Sequence, residues 1–251
     1  MGGEHILVTS GLSKSFGGFA AVSDVDLRVR EGSIHALIGP NGAGKTTCFN
    51  MLTKFLEPTR GAIVFQGRDI TRMRPADVAR QGVVRSFQIS AVFPHLTALE
   101  NVRIALQRGR SDSHAFWRSK STLKGLNARA MDLLADVGLQ DSAQTAAAEI
   151  SYGRKRALEL ATTLAVDPKL LLLDEPMAGM GNEDIARIAA LIKSASANRT
   201  VLMVEHNLKV VADLSDWITV LSRGRVLAEG DYQAISRNPE VRQAYLGAED
   251  G

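Results

Sequence analysis

At 251 residues the chain is long enough to bury a full core, as one large domain or as a domain with an attached subdomain. Its 30 basic and 27 acidic residues give a net charge of +3 and are interspersed, so no one-sided basic face is visible and nothing in the sequence suggests a nucleic-acid binder. The single cysteine, Cys48, excludes an internal disulfide and fits a reducing compartment, and no run reaches the roughly 18 apolar residues of a spanning helix.

In chain order, Met1 to Ser10 lacks the basic start and apolar core of a signal peptide, so the chain is expected to stay in the cytoplasm. Any membrane role then comes through a partner. Ile6 to Ser10 and Val25 to Arg30 read as short strands, the second alternating Val25, Leu27 and Val29 with Asp26, Arg28 and Arg30. Between them the turn Ser15-Phe16-Gly17-Gly18-Phe19 carries two aromatics, for which core filling is the preferred role and stacking on a base the alternative.

The apolar run Ile34 to Ile38 leads into Gly39, Pro40, Asn41, Gly42, Ala43, Gly44, Lys45 and Thr46, followed by the helical Thr47 to Leu52. The spacing is GxxxxGK[ST] between a strand and a helix. Small residues there let backbone N–H groups turn inward around phosphates, the lysine reaches the terminal phosphates and the hydroxyl of Thr46 suits Mg²⁺. The helix also points its positive end at the anion. Cys48, inside that helix, reads as a small buried hydrophobe.

Gly61 to Gly67 reads as a strand, Pro75 to Gln81 as a short helix and Val83 to Phe87 as a strand with Gln88 at its end, where open sheets hold ligands. From about Phe93 to Leu164 the pattern turns helical, with one helix starting at Leu96 to Val102 and another over Ala128 to Val137 that stops at Gly138. Arg108 to Lys124 is a basic, Ser- and Gly-containing stretch with Phe116 and Trp117; it reads as a solvated loop or as an aromatic anchor for a partner. Ser151 sits like an N-cap ahead of a helix over Ala157 to Val166.

Leu170 to Leu173, four leucines bounded by Pro168 and acids, read as a buried parallel strand. Asp174 and Glu175 at its end are costly to place there without a use, so they are the candidate reactive carboxylates. Glu183 to Ala197 reads as an amphipathic helix, Val201 to Val204 as a buried strand, and Glu205-His206 as its polar exit. Trp217 to Ser222 and Arg225 to Glu229 read as a hairpin about Arg223-Gly224, before a helical tail ending at Tyr245-Leu246-Gly247.

The phosphate loop, Gln88, Ser151-Tyr152-Gly153, the Leu-Leu-Asp-Glu-Pro strand and His206, in this order, resemble the ATP-binding subunit of an ABC transporter. Val204 to Asn207, Gly224 to Gly230, the tail Asn238 to Gly247 and the insertion at Arg108 to Lys124 resemble the branched-chain amino-acid importer group. The resemblance implies an α/β fold: a P-loop ATPase core over 1–88 and 166–251 with an N-terminal antiparallel β portion, and a helical signature subdomain over 89–165.

It implies ATP and Mg²⁺ as ligands, with Phe16 stacking on adenine, residues 39–46 wrapping the phosphates and Thr47 supporting the α-phosphate. Thr46, Gln88 and Asp174 would hold Mg²⁺, Glu175 would act as general base on the attacking water, and His206 would contact the γ-phosphate. Ser151 and Gly153 would complete the nucleotide site of a second ATPase subunit, in a heterodimer or a homodimer. Tyr152, in place of the usual small residue of the Ser151-Tyr152-Gly153 signature, Arg154, in place of glutamine, and Gly181, in place of Asp or Asn, depart from the family pattern. The implied partners are integral-membrane permeases at the cytoplasmic face of the inner membrane, and indirectly a solute-binding protein. The competing readings are a lipid or lipopolysaccharide exporter and a soluble, non-transport ABC ATPase.

Overall fold

The computed structural model describes residues 4–86, 92–107 and 126–246. Gln88 and the stretch Arg108 to Lys124, with Phe116 and Trp117, lie outside them. The chain divides into two compact units. The first comprises Met1–Arg85, Lys169–Pro176 and Ser196–Gly251; the second comprises Ser86–Pro168 and Met177–Ala195.

The strands are β1 (His5–Phe16), β2 (Phe19–Val25), β3 (Arg28–Arg30), β4 (Ile34–Ile38), β5 (Arg60–Phe65), β6 (Arg68–Asp69), β7 (Val83–Ser86), β8 (Leu170–Asp174), β9 (Thr200–Val204), β10 (Trp217–Ser222) and β11 (Arg225–Gly230). The helices are α1 (Lys45–Leu52), α2 (Pro75–Gln81), α3 (Ala98–Gln107), α4 (Asn127–Asp136), α5 (Tyr152–Leu164), α6 (Asn182–Ser196), α7 (Leu208–Leu214), α8 (Tyr232–Arg237) and α9 (Pro239–Leu246).

The first unit holds an antiparallel sheet in the order β2-β1-β5-β6, with β3 also on β1, as expected for the N-terminal portion. The anticipated strand Val25 to Arg30 is split. Asp26 and Leu27 leave the ladder, yet Val25, Leu27 and Val29 are all buried while Asp26, Arg28 and Arg30 are exposed. The alternation had read the face correctly and missed the break.

The other sheet runs β11-β10-β4-β9-β8-β7, and β10, β4, β9 and β8 are parallel. Strands β4, β8 and β9 are buried on both faces, which is why they read as unbroken apolar runs. Their carboxyl ends share one edge of the sheet. From that edge emerge the phosphate loop after β4, Asp174-Glu175 after β8 and Glu205-His206 after β9. Phe49, Met51 and Leu52 of α1 pack into the same apolar core as Leu37, Leu172, Val204 and the inner side of the antiparallel sheet.

His35, buried at the centre of this sheet, faces Thr219 at 2.8 Å, and the Thr219 hydroxyl donates to Glu229 at 2.6 Å. The Thr219 hydroxyl therefore accepts from the ring, which is neutral. Burial, helped by Arg30, pushes its pKa down to about 3. An unfolded histidine titrates near 6.5, so below that pH the unfolded chain binds the proton and the native one does not. Stability contributed by neutral His35 is present above about pH 6.5 and is lost as pH falls towards 3, with a slope of about 1.4 kcal/mol per unit. Urea unfolding of His35→Asn is expected to show a change in stability between pH 5 and pH 7 that is smaller than wild type's by about 2 kcal/mol in total, because the unfolded histidine titrates inside that window. An unchanged slope contradicts the assignment.

In the second unit α3, α4 and α5 pack on one another, and Leu99, Val102, Ala130, Leu133, Leu134, Leu158 and Ala161 of these helices are buried. A reciprocal cap starts α3: Thr97 N–H donates to Glu100 at 2.9 Å, and Glu100 N–H donates to the Thr97 hydroxyl at 3.2 Å. Helix α4 ends just before Gly138, whose φ of 69° is the left-handed closure the sequence had signalled.

Candidate nucleotide site

The loop from Gly39 to Gly44 is shaped by glycines that no other residue replaces cheaply. A Cβ on Gly39 would lie 2.1 Å from the Leu221 carbonyl oxygen, and one on Gly44, at φ 100°, would lie 2.7 Å from the Ala21 carbonyl. Ala43 is tied inward by its N–H to Pro40 O at 3.1 Å, and its own carbonyl accepts from Gly224 N–H at 3.0 Å. Asn41 and Gly42 stand exposed at the loop's tip.

Lys45 begins α1 and is only 8% exposed. Its ammonium donates back to the carbonyls of Gly39 at 2.6 Å and Pro40 at 3.0 Å, so the loop is curled around its own lysine. Burial lowers the Lys45 pKa, and the negative charges of Glu175 and Asp174 oppose that shift. Thr46 is exposed and Thr47 half-buried at the helix start, and the first turn of α1 carries no acidic residue. Its leading N–H groups lack intrahelical acceptors, so the end is electrostatically ready for an anion. Cys48 is fully buried, and burial pushes its thiol up to about 12, which makes it an inert packing residue as expected.

Asp174 ends β8 opposite Val204 of β9. Its Oδ2 accepts from the Arg85 guanidinium, whose other terminal nitrogen donates to Asn50 Oδ1 on α1 at 2.7 Å. Glu175 follows with φ 46°, in the left-handed region, and is held there by its N–H donating to Val204 O at 3.0 Å. His206 Nδ1 lies 3.9 Å from Glu175 Oε1, with both side chains substantially exposed. The turn that presents His206 is fixed by buried Glu205, whose carboxylate accepts from the N–H groups of His206 at 3.1 Å and Asn207 at 3.3 Å. The first unit thus gathers the phosphate loop, a pinned aspartate, a more exposed glutamate and a histidine at one sheet edge.

A nucleotide-binding P-loop alone does not choose among families. The ABC transporter family model matches residues 22–178, well over half of the chain. The chain belongs to the ABC transporter family. The model of the branched-chain amino acid ATP-binding cassette transporters matches residues 225–251. The chain is 40% identical to the high-affinity branched-chain amino acid transport ATP-binding protein BraF of Pseudomonas aeruginosa, over 96% of this chain and 98% of that protein. It is equally 40% identical to the corresponding LivG protein of Salmonella typhimurium, over 97% and 98%. A solved ATP-binding cassette of an ABC transporter in its ADP conformation, 27% identical, superposes with a TM-score of 0.83 and covers 97% of this chain and 99% of that one.

As an ABC ATP-binding subunit the protein binds nucleotide and hydrolyses ATP in transport. Among the described residues no helix is long and apolar enough to cross a membrane. Phe16 and Phe19 are 48% and 70% exposed, which overturns the core role preferred from the sequence: the turn between β1 and β2 points both rings outward. Phe16 has the Lys14 ammonium 5.3 Å from its ring centre, so a cation already sits at its face.

In the second unit, Ser151 occupies the N-cap position of α5 but its hydroxyl caps nothing, contrary to the local role its position suggested. The helix also starts five residues earlier than the expected Ala157. Gly153 is buried where the Asp184 carboxylate fills the space of a Cβ, within 2.5 Å. Tyr152 donates to the Ala178 carbonyl at 3.0 Å, giving the signature's bulky residue a positional role. Arg85 was not among the sequence candidates, because its contact with Asp174 spans 89 positions and leaves no local pattern.

Proposed function

We propose that this chain is the ATP-hydrolysing subunit of an ABC importer for branched-chain amino acids, working at the cytoplasmic face of a membrane. The observation that carries the substrate class is the match of residues 225–251 to the branched-chain family model, alongside similarity to BraF and LivG over nearly the whole chain.

Residues 39–46 wrap the phosphates, and Lys45 exchanges the carbonyls of Gly39 and Pro40 for the β- and γ-phosphates. Phe16 offers its exposed face to the adenine, and Thr47 supports the α-phosphate. Thr46 and Asp174 fit Mg²⁺: both are hard oxygen donors, and no cluster of three His, Cys, Asp or Glu among the described residues makes a protein cage, which suits an ion held largely by phosphate oxygens. Held by Thr46 and Asp174, such an ion would supply positive charge to offset that of the terminal phosphates. Gln88 is the further ligand that the family resemblance supplies.

Glu175 takes the proton of the attacking water, and His206, 3.9 Å from it, helps place that water against the γ-phosphate. Ser151 and Gly153, with the uncommitted hydroxyl of Ser151 at the start of α5, serve the nucleotide of a second ATPase subunit. The helical residues within 89–165 transmit the change to two permease subunits, and an extracytoplasmic binding protein delivers the solute. ATP as an effective switch must favour the closed pair by about 5.5 kcal/mol.

Affinity purification of the tagged chain from solubilised native membranes, read by mass spectrometry, tests this assembly. Two polytopic permeases, a second ATPase and an amino-acid-binding protein are the expected company. Lipid-export components, or recovery from the soluble fraction alone, contradict it.

A further inference from the structure

We propose that Arg85 is a positioning residue for Asp174 and sets how strongly nucleotide binding depends on a divalent cation. The inference rests on the reading of Asp174 as the carboxylate that faces the nucleotide's Mg²⁺, and deepens it. Arg85 lies on β7 and Asp174 at the end of β8, and their side chains are only 14% and 15% exposed. One terminal nitrogen of the guanidinium donates to Asp174 Oδ2, and the other donates to Asn50 Oδ1 at 2.7 Å. Its carbon lies 5.9 Å from the centre of the Phe49 ring. Asn50 and Phe49 belong to α1, whose first residue is Lys45.

A single planar cation therefore ties the end of β8 to the helix that carries the phosphate loop. Arginine suits the task because its fork fixes direction as well as charge, and it stays protonated at any working pH. Two consequences follow from the charge. With Arg85 on Oδ2, the Asp174 carboxylate is oriented before nucleotide arrives. It is also compensated, so it neither recruits a cation by itself nor strongly repels a metal-free polyphosphate.

Without Arg85 a bare, half-buried carboxylate faces the phosphates, and their repulsion is relieved only when a divalent ion stands between them. The observable is the ratio of the ADP dissociation constant in EDTA to that in Mg²⁺, measured calorimetrically on the full chain. Arg85→Met is expected to raise this ratio at least tenfold over wild type, and adding Asp174→Asn is expected to abolish the rise. Arg85→Lys keeps the charge and loses the fork, so it should show a smaller rise. Mn²⁺ titrated without nucleotide, followed by electron paramagnetic resonance, should bind Arg85→Met more tightly than wild type.

If Arg85→Met does not fold, the ratio is read on Arg85→Gln with the same expectation. A ratio within threefold of wild type, with both dissociation constants weakened together, shows Arg85 to be a packing residue and overturns the proposal. Failure of the wild-type chain to bind ADP in Mg²⁺ is a different result, and it removes the nucleotide reading of the site itself.

Discussion

Glu175→Gln is expected to lower ATP turnover by about 10² to 10⁴ while leaving the nucleotide dissociation constant near wild type. The reason is local. Glu175 occupies a left-handed backbone position, φ 46°, held by its N–H to Val204 O at 3.0 Å, and glutamine keeps the same length and shape there. What the substitution removes is the ability to accept a proton. In the proposed site His206, 3.9 Å away, would still contact phosphate, so binding is expected to survive while the proton transfer is not. Because ATP then persists, a closed pair of subunits should accumulate, visible by size-exclusion chromatography in saturating ATP. A variant that stays monomeric contradicts a site shared between two copies of this chain; one that turns over at the wild-type rate removes Glu175 from the role of base.

Lys45→Ala is expected to weaken nucleotide binding by about 2 to 5 kcal/mol, or between about 30-fold and several thousand-fold in the dissociation constant. Lys45 is already desolvated: it is 8% exposed and rests on the carbonyls of Gly39 and Pro40. Much of the cost of bringing its charge out of water is therefore met before nucleotide binds. Its loss leaves phosphate charge at the mouth of a curled loop with only backbone N–H groups and the α1 end against it. Calorimetric titration with MgATP measures this; a dissociation constant within threefold of wild type contradicts the placement of Lys45 on the phosphates.

Much of the architecture was legible in the sequence because single residue types there have one plausible use. Four leucines between Pro168 and two acids fit a strand buried on both faces, and β8 is that strand. The hairpin was readable from two strand-like runs, Trp217 to Ser222 and Arg225 to Glu229, separated by Arg223-Gly224, and in the structure both turn residues take positive φ, at 48° and 77°, as a tight hairpin turn requires. The phosphate loop declared itself through spacing, and Gly39 and Gly44 show why: neighbouring carbonyls leave no room for a side chain.

What escaped depended on contacts distant in sequence or on competition between local signals. Helix α7 was missed although Asn207 caps it, accepting from the N–H groups of Lys209 and Val210, because its seven residues are too few for a period to stand out beside the apolar β9. Residue type alone favoured core filling for Phe16 and Phe19, whereas both rings are exposed at the Gly17-Gly18 turn; for Phe16 only the family resemblance had pointed away from the core. Ser151 looked like an ordinary cap until the geometry showed its hydroxyl uncommitted to the helix. Arg85 was invisible because its meaning lies in Asp174, Asn50 and Phe49, which only the folded sheet and α1 bring to it.

The central claim is that ATP turnover by this chain drives branched-chain amino-acid uptake. Radiolabelled leucine uptake into native cells lacking the chain, complemented with either wild type or Glu175→Gln, tests it most directly. Uptake restored by wild type and not by Glu175→Gln is the predicted result; uptake undiminished when the chain is absent, or restored equally by both, contradicts the account.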